Sequence, residues 1–185
     1  MLMKAATSQL VVIDVQEKLL PAMMNPDQVL ARIGILAAAA RRLAVPSLIT
    51  EQDPRGLGKT CEAVLNAFGH DATLLEKMTF SAATEDVCGA HLARIAHEQN
   101  RRQIILCGIE SHVCVLQSAL DFIQDGYEVF VVTDAASSRA ASSMDFAFRR
   151  MERAGVSLVT TEMVLFEWLE RAGTDDFRAL SKMIR

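Results

Sequence analysis

Three residues, far apart in the chain, have the types needed for nucleophilic hydrolysis. Cys114 closes the stretch Cys107-Gly108-Ile109-Glu110-Ser111-His112-Val113-Cys114, which reads as a strand passing through a glycine turn into a helix. With Ser111 as helix cap, Cys114 falls in the first turn. Unpaired N–H groups and the helix dipole favour a negative sulfur there, so the expectation is a thiol with a lowered pKa. The same N–H groups are suited to hold an oxyanion. Asp14 follows the apolar run Val11-Val12-Ile13, where a carboxylate is expensive to bury without a partner. Lys77 ends a weaker apolar run at Thr73-Leu74-Leu75. A carboxylate, an ammonium and a thiol brought to one crevice supply a base, a charge-stabilising group and a nucleophile. The competing reading makes Cys114 a small buried packing residue, Asp14 a cap and Lys77 a solvated cation.

The elements that must gather these residues are legible as alternating patterns. Short β-rich apolar runs occupy 10–13, 47–49, 73–75, 103–107, 128–133 and 156–159, and amphipathic stretches fill 27–43, 84–99, 111–124 and 140–154. Near-continuous apolar strands alternating with helices indicate a parallel sheet covered on both faces. The expected class is α/β: a three-layer α/β/α doubly wound domain, spanning 1–185, with a six-stranded parallel sheet in the order 3-2-1-4-5-6. In that order strands one and four are neighbours at the switch point, so Asp14 faces the Cys114 turn, and Lys77 lies about 10 Å from strand one. The tail, 161–171 and 174–184, reads as two short helices. Gly173-Thr174-Asp175-Asp176 supplies a stop, a cap and an acidic first turn between them.

Three segments resemble the signatures of the isochorismatase-like cysteine hydrolases: Val11-Val12-Ile13-Asp14-Val15-Gln16, Glu76-Lys77-Met78-Thr79-Phe80-Ser81 and Gly108-Ile109-Glu110-Ser111-His112-Val113-Cys114. The resemblance runs from about residue 8 to 160. Thr50-Glu51-Gln52 with Pro54, Gly56-Leu57-Gly58 and Asp134-Ala135-Ala136-Ser137-Ser138-Arg139 are most similar to the isochorismatase-domain-containing branch. The resemblance implies a triad in which Asp14 takes the thiol proton, Lys77 orients the pair and stabilises charge, and Cys114 attacks an amide-type carbonyl to leave a thioester. It also implies a cis peptide at Ile109–Glu110, with the backbone N–H groups of Glu110 and Cys114 as the oxyanion hole. Phe80 and Leu19 are expected as pocket walls, with Gln16 and Gln52 as further substrate contacts. Metal-dependent relatives carry Asp-x-His after strand two. Here that segment is Asp53-Pro54-Arg55, so no catalytic metal or other cofactor is expected, and nicotinamide is disfavoured as substrate. Relatives are usually dimers or larger, which makes a homo-oligomer the expectation.

Composition narrows the classes further. Lys and Arg total 19 against 23 acidic residues, for a net charge of −4, and aromatics are 5%. There is no basic stripe and little to stack on bases, so nucleic acid is not an expected partner. No apolar run is long enough to span a bilayer. Four cysteines without CxxC spacing read as reduced thiols in a cytoplasmic protein. Gly56-Leu57-Gly58-Lys59-Thr60 resembles the end of a phosphate-binding loop, but Asp53 stands where its first glycine belongs. Cys88 and His91 share a helix face and read as packing. His112 reads as a rim or subunit-contact residue. Arg139 is expected to pair with Asp134, with Ser137 or Ser138 capping the next helix. The leading function is a metal-free cysteine hydrolase of a small amide-type substrate; the alternative is a catalytically idle binding or scaffold protein that keeps the fold.

Overall fold

A computed structural model describes residues 1–184. Its sheet has six parallel strands in the order β3-β2-β1-β4-β5-β6. They are β1 (Ser8–Ile13), β2 (Ser47–Gln52), β3 (Ala72–Lys77), β4 (Gln103–Ile109), β5 (Glu128–Ser137) and β6 (Ser157–Val159). The helices are α1 (Pro26–Arg42), α2 (Pro54–Leu57), α3 (Glu62–Phe68), α4 (Asp86–Gln99), α5 (Leu116–Gln124), α6 (Ala141–Arg153), α7 (Thr161–Leu169) and α8 (Asp175–Leu180). A π-helical turn, Ser111–Val115, joins β4 to α5. The expected fold class and strand order are therefore found. The crossover from β2 to β3 runs through α2 and α3, two short helices that no long periodic stretch announces.

The two faces of the sheet build two cores. Along β1, Leu10 and Val12 enter one core while Val11 and Ile13 enter the other. β4 does the same, with Ile105, Cys107 and Ile109 on the first face and Ile104 and Leu106 on the second. Both faces being covered is the reason these strands read as unbroken apolar runs. On α1, Val29, Ile33, Leu36, Ala37 and Ala40 form one buried stripe at helical spacing. Pro26 opens that helix, where its missing N–H costs nothing, and Arg41 and Arg42 close it with the sign the dipole favours. Burying each large aliphatic side chain contributes about 1.5–3 kcal/mol. At the tail, Thr174 accepts a hydrogen bond from the Phe177 N–H, as the cap reading requires.

Gly108 sets how closely the central strands meet. Its φ is +112°, and a Cβ there would lie 2.1 Å from the Ile13 carbonyl oxygen. Only glycine permits that approach. The pairing of β4 with β5 also shifts between Leu106 and Gly108. The end of β4 thus lies flush against the last residue before Asp14.

Candidate active site

β1 stops at Asp14 because its backbone turns left-handed there, with φ +51°. For a non-glycine residue this costs about 1–2 kcal/mol, though aspartate tolerates it better than most. The Asp14 N–H donates to the Thr50 carbonyl at 3.2 Å. The side chain is fully enclosed. Oδ1 accepts from the Thr50 hydroxyl at 2.7 Å. Oδ2 has the Lys77 ammonium at 2.7 Å, but without the alignment of a hydrogen bond, so it keeps an unused acceptor site.

Lys77, last residue of β3, is equally buried. Its Nζ donates to Gln52 Oε1 at 2.8 Å and to the carbonyls of Thr79 and Phe80 at 3.1 Å each. A buried ion pair needs such additional partners to offset its desolvation. The loop that provides the two carbonyls is held by Glu85, whose carboxylate accepts the N–H groups of Met78 at 2.8 Å and Thr79 at 3.2 Å. Those bonds hold the Glu85 carboxyl below its ordinary range. The Ala82 N–H donates to Ser118 on α5, which ties the loop to the helix that follows the cysteine turn.

Cys114 lies in the π-helical turn with 7% of its surface exposed. Its thiol lies close enough to Asp14 and Lys77 for both charges to shift its acidity. The structure therefore brings Asp14, Lys77 and Cys114 together. The expected thiol acidity is corrected, however. Burial foremost, and then the Asp14 carboxylate, push the Cys114 thiol up to about 12, and Lys77 offsets only part of this. Ser111 is no cap either: Glu110 precedes the turn without a side-chain cap, and the Ser111 hydroxyl is buried without a partner. Within the turn the Glu110 carbonyl accepts the N–H groups of Val113 (3.0 Å) and Val115 (3.2 Å), which flank Cys114. The Ile109–Glu110 peptide is cis.

Other expected contacts take different places. Gln16 is fully enclosed. Its Nε2 donates to the Gln52 and Gly58 carbonyls at 3.0 and 2.6 Å, and its Oε1 accepts the Gln52 N–H at 2.8 Å. Both its amide hydrogens are spent on backbone, so it clamps β2 and the loop after α2 rather than facing a ligand. Gln52 uses Oε1 on Lys77 and Nε2 on the Met78 carbonyl at 3.0 Å. Leu19 packs against the first core, and Phe80 is 55% exposed beside Lys77. Of the stretch 56–60, Gly56 and Leu57 end α2, and Thr60 beyond it pairs with Gln16 after β1.

Arg139 does not pair with Asp134. It bonds Glu110, while Asp134 meets Arg32 at 3.3 Å and accepts from the Thr161 N–H and hydroxyl. Neither Ser137 nor Ser138 caps α6, whose N-cap Ala140 has no side-chain cap bond. Ser137 donates to the Met24 carbonyl and Ser138 bonds His112. His112 is half-buried. Cys88 packs in the second core. Thr50 is the contact that sequence reasoning missed. It shares a strand face with Gln52 two residues on, a period-two signal that could have paired it with Asp14.

Among the described residues, five surface cavities of about 140 to 450 Å³ are each lined by residues outside the triad. Among the described residues no group of three or more His, Cys, Asp or Glu is gathered as metal ligands. Nor, among the described residues, is any helix long and apolar enough to cross a membrane.

Comparison with known proteins gives a consistent family. The isochorismatase domain profile matches residues 8–163. Isochorismatase domain-containing protein 2 from Danio rerio is 36% identical over 177 residues, covering 96% of this chain and 86% of that protein. The solved structure of MAR1 ribonuclease from Caenorhabditis elegans superposes with a TM-score of 0.91 at 32% identity, covering 100% of this chain and 92% of that one. The YcaC gene product of Escherichia coli, an octameric hydrolase of unknown specificity, superposes with a TM-score of 0.89 at 23% identity, covering 98% and 90%.

Proposed function

The chain belongs to the isochorismatase family, and on that premise we propose that it is a cysteine-dependent hydrolase of a small amide-type substrate. The observation that carries the reading is Asp14 Oδ2, a buried carboxylate oxygen with an unused acceptor site beside the Cys114 thiol. In this mechanism Oδ2 takes the thiol proton as sulfur attacks the carbonyl carbon. The Glu110 and Cys114 N–H groups receive the oxyanion. Collapse breaks the C–N bond, Asp14 returns the proton to the leaving amine, and a thioester remains on Cys114. Water, deprotonated by Asp14, then releases the acid and the thiol. Lys77 orients the Asp14 carboxylate through the whole cycle, beside it at 2.7 Å. Phe80 and Leu19 form the walls around the entering substrate, Gln52 positions Lys77 and its loop, and Gln16 holds the Gln52 backbone.

Ammonia release from a panel of carboxamides, ureido compounds and nicotinamide tests this reading. Turnover is expected for at least one ureido or carboxamide compound. It should fall about 10³-fold or more in Cys114→Ala. Turnover that survives this substitution would overturn the reading. A panel without turnover, together with Cys114 inert to small electrophiles, would favour the idle scaffold.

A second reading follows from the Caenorhabditis elegans neighbour, which is named a ribonuclease. A net charge of −4 and 5% aromatics give little to hold a phosphate backbone or stacked bases, so amide hydrolysis is preferred. Release of acid-soluble nucleotides from RNA, lost in Cys114→Ala, would reverse that preference. Homo-oligomerisation is part of the proposal. The octameric state of the Escherichia coli neighbour supports it, as do Met78 and Phe80, apolar side chains exposed on the loop that follows Lys77. Four cysteines without a disulfide fit a reducing compartment such as the cytoplasm.

A further inference from the structure

Glu110 opens the turn that carries Cys114, and its carboxylate is almost fully enclosed. One oxygen, Oε2, accepts two bonds from a single residue of the loop after β5. The Arg139 Nε donates at 3.0 Å and the Arg139 backbone N–H at 3.2 Å. A second stitch joins the same two segments, because His112 Nδ1 lies 2.9 Å from the Ser138 hydroxyl. His112 Nδ1 is also 3.9 Å from Glu110 Oε2, so Arg139 and His112 are the two basic groups facing this carboxylate. The anchoring loop is itself tied down. The Ser137 hydroxyl donates to the Met24 carbonyl at 2.7 Å, and the Met24 N–H donates to the Ser138 carbonyl at 3.0 Å.

None of the hydrolytic steps uses this arrangement directly, yet it grips the residue whose peptide N–H is assigned to the oxyanion. A carboxylate with two donors from one arginine is fixed in orientation as well as in position. Its own backbone follows, since the Glu110 carbonyl is bonded to the turn on either side of Cys114. Arg139 is 64% exposed at its side chain, so an ion pair for stability alone would gain little there. Catalytic donors act only when pre-aligned, and a shift of about 1 Å can cost 10²-fold in rate.

We infer that Arg139 is a positioning residue for carbonyl chemistry at Cys114: through the Glu110 carboxylate it aligns the Glu110 N–H with the oxygen of the attacked carbonyl. The inference rests on the reading of Cys114 as nucleophile, and two probes separate the two claims. With para-nitrophenyl acetate, sulfur attacks a carbonyl carbon, an oxyanion forms, para-nitrophenolate leaves and an S-acetyl group remains. With iodoacetamide, sulfur displaces iodide from a saturated carbon and no oxyanion forms. Residue-resolved mass spectrometry follows Cys114 in both reactions, apart from the partly exposed Cys61.

In Arg139→Gln the acetylation rate of Cys114 is expected to fall about 10- to 100-fold while its alkylation stays within about twofold. Arg139→Lys, which keeps one charged donor, should recover part of the loss. Glu110→Gln is nearly isosteric and serves as the second variant should Arg139→Gln fold poorly. It should show the same selective loss. Equal falls in both reactions, or no fall in either, overturn the inference and leave the nucleophile reading intact. A Cys114 inert to both reagents in the unsubstituted protein overturns the nucleophile reading and the inference with it.

Discussion

In the proposed mechanism Cys114 is a nucleophile that must be deprotonated on demand. Burial and the Asp14 carboxylate hold its thiol at about 12, so the thiolate is scarce at neutral pH. Low acidity has a compensating benefit, because a more basic sulfur is intrinsically a better nucleophile once its proton is gone. Asp14 then has two opposed effects. Its charge disfavours the thiolate at rest, and in the proposed mechanism its open oxygen removes the proton during attack. Asp14→Asn separates them. Hydrolysis should drop about 10²- to 10⁴-fold with the base gone. Alkylation of Cys114 at pH 8 should become faster, since Lys77 continues to stabilise the thiolate and the opposing charge is absent. Parallel kinetics with a turned-over amide and with iodoacetamide check this pair of opposite changes; a slowed alkylation would sink it. The same variant leaves a buried ammonium without its carboxylate, so urea denaturation should report a loss of about 3–5 kcal/mol.

At the level of elements, the site depends on how two strand ends meet, and Gly108 decides that. Gly108→Ala would drive a Cβ to 2.1 Å from the Ile13 carbonyl oxygen at a φ of +112°. The expected cost is about 3–5 kcal/mol, from backbone strain and overpacking together. Gly34 gives the opposite sign. It lies inside α1, and a methyl group there would meet nothing within 4 Å, so Gly34→Ala should stabilise by about 0.5–1 kcal/mol. Urea unfolding of the two variants measures both. These elements also mark how far the residues can be read without coordinates. β1, β4 and β5 are apolar on both faces, so their runs announce a buried parallel sheet, and the sheet order then places Asp14, Lys77 and the cysteine turn at one edge. The π-helical turn is not legible, because its five residues are too few to display a period distinct from that of α5. The lowered thiol pKa expected for Cys114 fails for a related reason: a helix-start argument counts local dipoles but not the burial and the Asp14 charge that tertiary packing adds. Sequence proximity points Arg139 to the nearer Asp134, whereas β4 and β5 lying side by side offer it Glu110.

Taken as a whole, the molecule stores several thiols in its two cores, and this gives its stability a pH signature. The thiols of Cys88 and Cys114 are pushed up to about 11 and about 12, and that of Cys107, fully enclosed, is pushed higher still. Burial is the largest cause in each, with nearby carboxylates adding to it. In the unfolded chain the same thiols ionise near their ordinary value of 9.0. Between about pH 9 and 11 the unfolded chain therefore holds fewer protons than the folded one, and stability falls as pH rises. Below about pH 8 both states keep these protons and the thiols contribute no slope. Each raised thiol adds up to about 1.4 kcal/mol per pH unit in that window. Urea midpoints measured from pH 7 to 11 should be flat at first and then decline. In the double variant Cys88→Ala, Cys107→Ala the baseline is lower because two packed side chains are truncated, but the decline is shallower, with Cys114 the remaining contributor of the three. An alkaline slope unchanged by the double variant would assign the loss to other groups and leave these buried thiols without a part in it.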